Sequence, residues 1–426
     1  MGTAGCSARG WSGILKGQDK GGSMVSEDEV TGVGKRVAGA RKLAGWTQNE
    51  LARRAAVSVS LVRAVEQGRA PASPAFVSAC ARALSVGVAD LLELPYPKIN
   101  RSEHRVHAAI PSIRRELAAY CIEPDENVRP RDLNELSAAV AHASELRHSV
   151  NLDHLGIELP GLLQELRAAA YLHTGHARER AFGLLAESCY AASEVASKLG
   201  YIDLSSLAVD RYEWAAAQSG DELAVRVGDY RRAGEMISAA DWSSALRFLE
   251  GSRSRIEDRI RKDDLPTLAV WGNLHLKSGL AAARSGQRDL ADAHLAEAQE
   301  TAARIGADRD DYRLCFGPTN VNIWSVGLAV EMLDGTEAVK RADRFVLPPD
   351  APRERVGHHW IDLARGHLYN GDRRKAFAAL EKARQVAPTQ TRYHPMVHET
   401  IRVLVHDEHR RTDTLSGFAR WIGLKL

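Results

Sequence analysis

The stretch from Trp46 to Pro71 constrains the fold more than any other, because its capping residues leave room only for two short helices and a tight turn. Thr47 is placed to cap the first helix, and Glu50 three residues later completes a capping box. Leu51, Ala52 and Ala55 form one apolar stripe; Val57, Val62 and Val65 form the next. Ser58 is placed to cap the second helix, and Gly68 to end it in a left-handed conformation. Two helices this short offer too little buried surface to stand alone, so neighbours must complete a core. Val33–Ala44 supplies Val37, Ala40 and Leu43. Pro74–Leu84 supplies Phe76, Val77, Cys80, Ala81 and Leu84, and Val88–Leu94 closes with Leu91 and Leu92.

The order Thr47-Gln48-x-Glu50-Leu51-Ala52, then Val57-Ser58, then Val65-Glu66-x-Gly68 resembles the Xre/phage-repressor helix-turn-helix family across residues 31–94. The resemblance implies a five-helix module that binds double-stranded DNA, with its second motif helix in the major groove. Gln48 and the start of its helix, led by Thr47, are then expected on a phosphate. Ser58, Val59, Ser60 and Arg63 fall where the family faces the bases, and Arg69 just beyond joins the DNA-facing set. Val59 has only a thymine methyl to pack on, whereas Arg63 has the bidentate geometry for guanine. Ala64, at another contact position, reads nothing by hydrogen bonding. Readout by one domain is therefore expected to be weak, which implies a homodimer on a two-fold site. Arg41 and Glu66 match an internal ion pair of the family; Arg41 is counted in the DNA-facing set, with a structural role as its first expectation.

Charge supports this reading. The chain carries 57 Lys+Arg against 55 Asp+Glu, yet residues 33–94 hold nine basic and four acidic side chains, a local net of +5 on a body of −3. A basic module on a slightly acidic body is what attraction to DNA through one face requires. At 426 residues the chain predicts two or three domains, and 44% hydrophobic with only 6% aromatic residues favours helix throughout. No run of 18 apolar residues occurs, so no membrane partner is expected. Residues 1–30 are Gly-rich and patternless, which predicts a disordered tail, and Met24 is a second candidate start. The five cysteines are scattered without CxxC spacing, as in a reduced, cytoplasmic protein.

The remainder predicts an all-α protein, with linker or coupling helices over 95–160 and a repeat body over 161–426. Trp360, Leu363, Ala364, Gly371, Ala376, Leu380, Ala383 and Pro388 fall at tetratricopeptide offsets, which predicts a tetratricopeptide-like α-solenoid. Turns are expected at Gly200, Ala240, Gly286, Gly335 and Gly371. The layout resembles peptide-pheromone-sensing regulators of Gram-positive bacteria and, with Cys315-Phe316-Gly317-Pro318-Thr319-Asn320-Val321, a set of actinobacterial Xre–tetratricopeptide regulators. The resemblance implies a transcriptional regulator whose body senses a short peptide or small-molecule effector; the alternative is a protein-interaction scaffold without one.

Setting Gly279 and Ala364 as the eighth position of their units puts Asn273, Leu276, Arg284, His358, Ile361, Arg365 and Tyr369 on the concave wall. Tyr230 and Asn322 join by the same count, with Asn320 beside them. Asn273 and Asn322 are expected to read a peptide backbone. The sixteen histidines give no metal set: His398-Glu399 starts like HExxH, but Arg402 stands where the second His belongs. No Walker, Gly-x-Ser-x-Gly or EF-hand pattern occurs, so neither an enzyme nor a cofactor is expected.

Overall fold

Capping side chains set the ends of the first helices in the computed structural model, which describes residues 32–96, 106–125, 127–260, 264–407 and 413–424. The tail expected over 1–30 lies outside the described residues. Among these, 21 α-helices occur, and the only β-type pairing is an isolated bridge between Arg309 and Phe316. Helices α1 (Val33–Leu43), α2 (Gln48–Arg54), α3 (Val59–Glu66), α4 (Pro74–Leu84) and α5 (Val88–Leu92) form the N-terminal domain. Thr47 accepts from the Glu50 N–H at 3.2 Å, Ser58 from Leu61 N–H at 3.2 Å and Ser73 from Phe76 N–H at 3.2 Å. Only half of the expected capping box forms, because the Glu50 carboxylate turns to Arg53 and Arg54. The core gathers Val37, Leu51, Val62, Phe76 and Cys80, all buried. Leu43, expected inside, is exposed, and Arg41 takes the inward position instead. A Cβ on Gly34 would stand 1.9 Å from the Val65 carbonyl oxygen, so the α1–α3 crossing requires glycine there.

Helices α6 (Ile110–Ala118), α7 (Leu133–His148) and α8 (Leu152–Leu172) share one apolar cluster with α9 (Gly175–Lys198) and α10 (Ile202–Ala216), through Ile113, Leu136, Leu155, Leu166, Val195 and Leu204. They are thus part of the body core and not a separate coupling segment. The boundary expected at 160 falls inside α8, which runs on through Pro160. Five antiparallel hairpins follow: α9–α10, α11 (Glu222–Ser238)–α12 (Trp242–Ser254), α13 (Leu265–Arg284)–α14 (Arg288–Ile305), α15 (Pro318–Glu331)–α16 (Gly335–Ala342) and α17 (Arg353–Tyr369)–α18 (Arg373–Val386). Four of their turns fall at Gly200, Ala240, Gly286 and Gly371, as expected, while the fifth falls at Leu333-Asp334, with Gly335 opening the helix that follows. From α11 on, α11 packs on α13, α13 on α15 and α15 on α17, which makes a solenoid. Helices α19 (Pro388–Tyr393), α20 (Pro395–Asp407) and α21 (Asp413–Trp421) close its end, covering Ile361 and Leu380 with Val397, Ile401 and Phe418.

A buried charge network ties the start of the body to its end. Glu354 on α17, 1% exposed, accepts from Arg147 of α7 at 3.0 Å and from Lys198 of α9 at 2.9 Å. Lys198 also pairs with Glu194 at 2.7 Å, and Arg231 of α11 pairs with Glu194 at 2.5 Å. Burial alone would raise both carboxyls, but these cations hold them well below the ordinary carboxylate range.

Burial also keeps six histidines neutral. His275, His358 and His398 are lowered to about 3, His294 and His359 to about 4, and His394 falls well below its ordinary value. Below pH 6.5 the unfolded chain takes up protons that these native imidazoles refuse, so stability falls as pH falls. Asp362, raised to about 6 by burial, and Asp229, also raised by burial, act in the opposite sense but are two groups against six. Unfolding free energy is expected to drop steeply between pH 6.5 and 5, by about 1.4 kcal/mol per pH unit for each such histidine. Thermal melts across that window check it, and a flat profile contradicts the buried neutral set.

Candidate nucleic-acid interface and inner cavity

The outer face of α3 presents Ser60 and Arg63, with Gln67 and Arg69 just after it, all exposed. Arg63 forms no hydrogen bond or ion pair among the described residues, so its guanidinium is free for a ligand. Arg69 is held lightly by Gln67. Ser58 is spent on its cap and on Ser60 Oγ at 3.1 Å, while Val59 is half-buried. Gly68, with φ of +72°, ends the helix as expected.

Arg41 is corrected from the DNA-facing set. Its Nε and Nη2 donate to Glu66 at 2.7 and 2.9 Å, and Nη1 donates to the Trp46 carbonyl at 2.7 Å. Gln48 Nε2 donates to the same carboxylate at 2.8 Å, so the Gln48 amide also points inward. The expected phosphate contact at this helix start therefore falls to backbone N–H groups. Burial raises the Glu66 carboxyl, but the hydrogen bonds from Arg41 and Gln48 win and bring it below its ordinary value. This triad joins α1, α2 and α3 and fixes how α3 is presented.

The domain is docked on the body. Arg82 Nη1 donates to the Ala240 carbonyl at 2.7 Å, and Trp242 packs against the domain's core. Tyr96 stacks on His398 at 4.0 Å with planes 8° apart, and the Ala72 N–H donates to Glu399 at 3.5 Å. The His398-Glu399 pair that starts like a zinc motif is thus a joint between the two parts.

Beneath this joint lies a cavity of about 690 Å³. One side of it is lined by Pro74, Val77 and Ser78 of α4, Val88 and Leu92 of α5, and Leu94. Its other walls come from alternate helices of the solenoid, with Glu194 and Lys198 of α9, Tyr230 and Arg231 of α11, Lys277 and Arg284 of α13, Trp324 and Glu331 of α15 and Arg355 to Arg365 of α17, joined by Ile202 and Ser205 of α10 and by Tyr393 and Met396 of the closing helices. A smaller pocket shares Tyr190, Tyr230 and Arg355 with it and adds Asn273, Asn320, Arg147 and Cys315.

Of the expected groove residues, Tyr230, Arg284, His358 and Arg365 line the cavity. Asn273 and Asn320 reach only the smaller pocket, where their amide nitrogens donate to Ala269 and Cys315 carbonyls. Asn322 lines neither, and Leu276 and Ile361 belong to the core. Tyr369 packs beside Val330 and Ala338. Only the fifth position of these two units is off by one residue: Lys277 and Asp362, next to Leu276 and Ile361, line the cavity. One helical residue is a rotation of about 100°, enough to exchange wall for core. Lys277, Trp324 and Arg355 went unnoticed. Their signal is a basic residue recurring every two turns on a helix otherwise built of small and apolar residues, as in Lys277 and Arg284.

Among the described residues, His148, Asp310 and Cys315 are grouped closely enough to suggest a metal. Arg147 Nη2 lies 2.8 Å from His148 Nε2, and this cation opposes a second positive charge there.

Residues 33–94 match the family described as a helix-turn-helix domain. No curated protein matches the chain. Among solved structures, the crystal structure of BtubC (BKLC) from P. vanneervenii is similar over 65% of this chain and 96% of that one, at 17% identity and a TM-score of 0.34. The helix-turn-helix domain points to DNA as a partner and to transcription regulation.

Two outcomes test the interface. Arg63→Ala is expected to lose about 1–3 kcal/mol of affinity at a selected site and to relax one base position, read by gel shift against a base-substitution series. Glu66→Ala strands Arg41, whose residue is 9% exposed, and is expected to remove about 3 kcal/mol of stability in chemical unfolding of the full chain.

Proposed function

We propose that this protein is an Xre-type, effector-responsive transcriptional regulator with a tetratricopeptide-like body, acting in the cytoplasm as a homodimer on a two-fold operator. It works by binding, without catalysis or cofactor. The observation that carries this reading is the lining of the cavity: α4 and α5 of the DNA-reading domain form one wall, and helices of the body form the others. An effector held there touches both parts at once. It therefore has different interaction energy in docked and undocked arrangements, which is the physical requirement for a ligand to shift an equilibrium. The exposed Arg63 face lies on α3, free of that joint, so docking changes where α3 is carried and not whether it is exposed.

In a two-fold dimer, the spacing between two recognition helices has to match half-sites about one helical turn of DNA apart. A change in docking angle at Tyr96–His398 and Arg82–Ala240 alters that spacing. Coupling energies of roughly 1–3 kcal/mol, or 5–150-fold in affinity, are ordinary for such a linkage.

The experiment is selection of genomic fragments by the full chain, with and without small-molecule extract from the source cells. The wild-type protein is expected to retain a discrete set of fragments and to change its retention when extract is added. Glu399→Ala combined with Arg82→Ala loosens the joint, and is expected to keep fragment binding while losing most of the response. A double variant that responds as fully as the wild type overturns the reading.

A further inference from the structure

Ion pairing inside the cavity leaves one cation over. Glu194 is taken by Lys198 and Arg231, Glu354 by Arg147 and Lys198, and Glu331 by Arg284 and Arg365 at 2.8 Å each. Lys277 pairs with none of them. Its ammonium lies 4.1 Å from the Tyr230 ring centroid and 5.8 Å from that of Trp324, and it makes no hydrogen bond among the described residues. Arg355, which lines the same space, reaches only its neighbour Glu354, at 3.8 Å, and its buried Nε has no acceptor.

An ammonium in a partly closed space, facing aromatic rings and without a carboxylate, is a costly arrangement that substitution by an apolar side chain would relieve. The cavity also has an apolar lining, made of Val77, Val88 and Leu92 from the DNA-reading domain with Leu280 and Met396 of the body. A volume of about 690 Å³ is that of a small-molecule site rather than of a packing defect.

We propose that the cavity binds a low-molecular-weight amphipathic organic monoanion, its carboxylate held by Lys277 and Arg355 beside Tyr230, and its apolar tail against Val77 and Leu92 of the DNA-reading domain. Six basic side chains (Lys198, Arg231, Lys277, Arg284, Arg355 and Arg365) line the space against five carboxylates (Glu194, Glu235, Glu331, Glu354 and Asp362), so one negative charge matches the surplus and a dianion such as phosphate overcompensates it. The tail reaches the domain's underside, so a ligand of this shape is the one able to bridge the two parts. The inference rests on the reading of this cavity as the regulator's effector site, and names its ligand class.

Lys277 also gives the site a proton signature. Burial, and then Arg231, lower its ammonium to about 7. The groups that face it are Arg231 and Tyr230 from α11, Glu194 from α9, Trp324 from α15, Arg355 from α17 and Arg284 on its own helix. Because the bound carboxylate needs the charged form, affinity is expected to fall as pH rises from 7 to 9, approaching tenfold per unit above the lysine's own value.

The test is isothermal titration of the full chain with decanoate, with decanol as the neutral counterpart and inorganic phosphate as the compact anion. Decanoate is expected to bind at least tenfold more tightly than decanol, phosphate not to compete, and affinity to fall with pH. Lys277→Met is expected to lose tenfold or more in decanoate affinity while raising the melting temperature of the ligand-free chain. Lys277→Arg keeps the charge and is expected to stay within tenfold of wild type. Equal binding of decanoate and decanol, no decanoate binding, or wild-type affinity in Lys277→Met each overturns the proposal. Fragment retention is measured in a separate arm. Decanoate bound at Lys277 with retention unchanged overturns the regulatory reading and leaves the anion site standing.

Discussion

Glu354 is the residue on which the body's closure depends. Its carboxylate, shut away from water, draws Arg147 from α7 and Lys198 from α9 to the start of α17, more than a hundred and fifty positions later in sequence. A buried charge is tolerated only when its partners surround it, so these helices are held to one separation. Without that constraint a solenoid is free to open or wind along its axis, since each repeat touches only its neighbours. With it, the inner surface becomes a partly closed space whose walls are held at one separation.

The same logic operates on a smaller scale at Glu66. Arg41 and Gln48 converge on one carboxylate and lock three helices whose apolar surfaces are too small to hold a single arrangement unaided. In both places the ionic pair specifies a geometry more than it adds stability. In both places, too, the residue that does so is a glutamate on the element that must be aimed: α3 toward DNA, α17 toward the cavity.

Much of this was legible in the sequence. The caps Thr47, Ser58 and Gly68 act through neighbours within a few residues, and such local chemistry can be read directly. The five hairpin turns were equally plain, because a break in helical pattern is local too. The cavity was only half legible. Tyr230, Arg284, His358 and Arg365 were found, but the register slipped by one at Leu276 and Ile361, since an αα-repeat without strong Gly or aromatic anchors does not fix its own rotation. Arg147–Glu354 was illegible for a different reason: nothing local marks a charged residue as the partner of another at such distance. The docking of α4 and α5 along the cavity was hidden likewise, because His398-Glu399 reads as a fragment of a metal motif until Tyr96 and Ala72 are placed against it.

Helix α4 serves two masters. Phe76 and Cys80 are part of the DNA-reading domain's core, while Pro74 and Ser78 line the cavity, and Val77 belongs to both. The N-terminal domain is therefore not an interchangeable cartridge. Transplanted onto another body, it would carry a face shaped for this cavity into water. If the cavity holds an effector as proposed, a change at Val77 that suits a new one would also be felt in the scaffold that aims α3, coupling what is sensed to what is read through a single side chain.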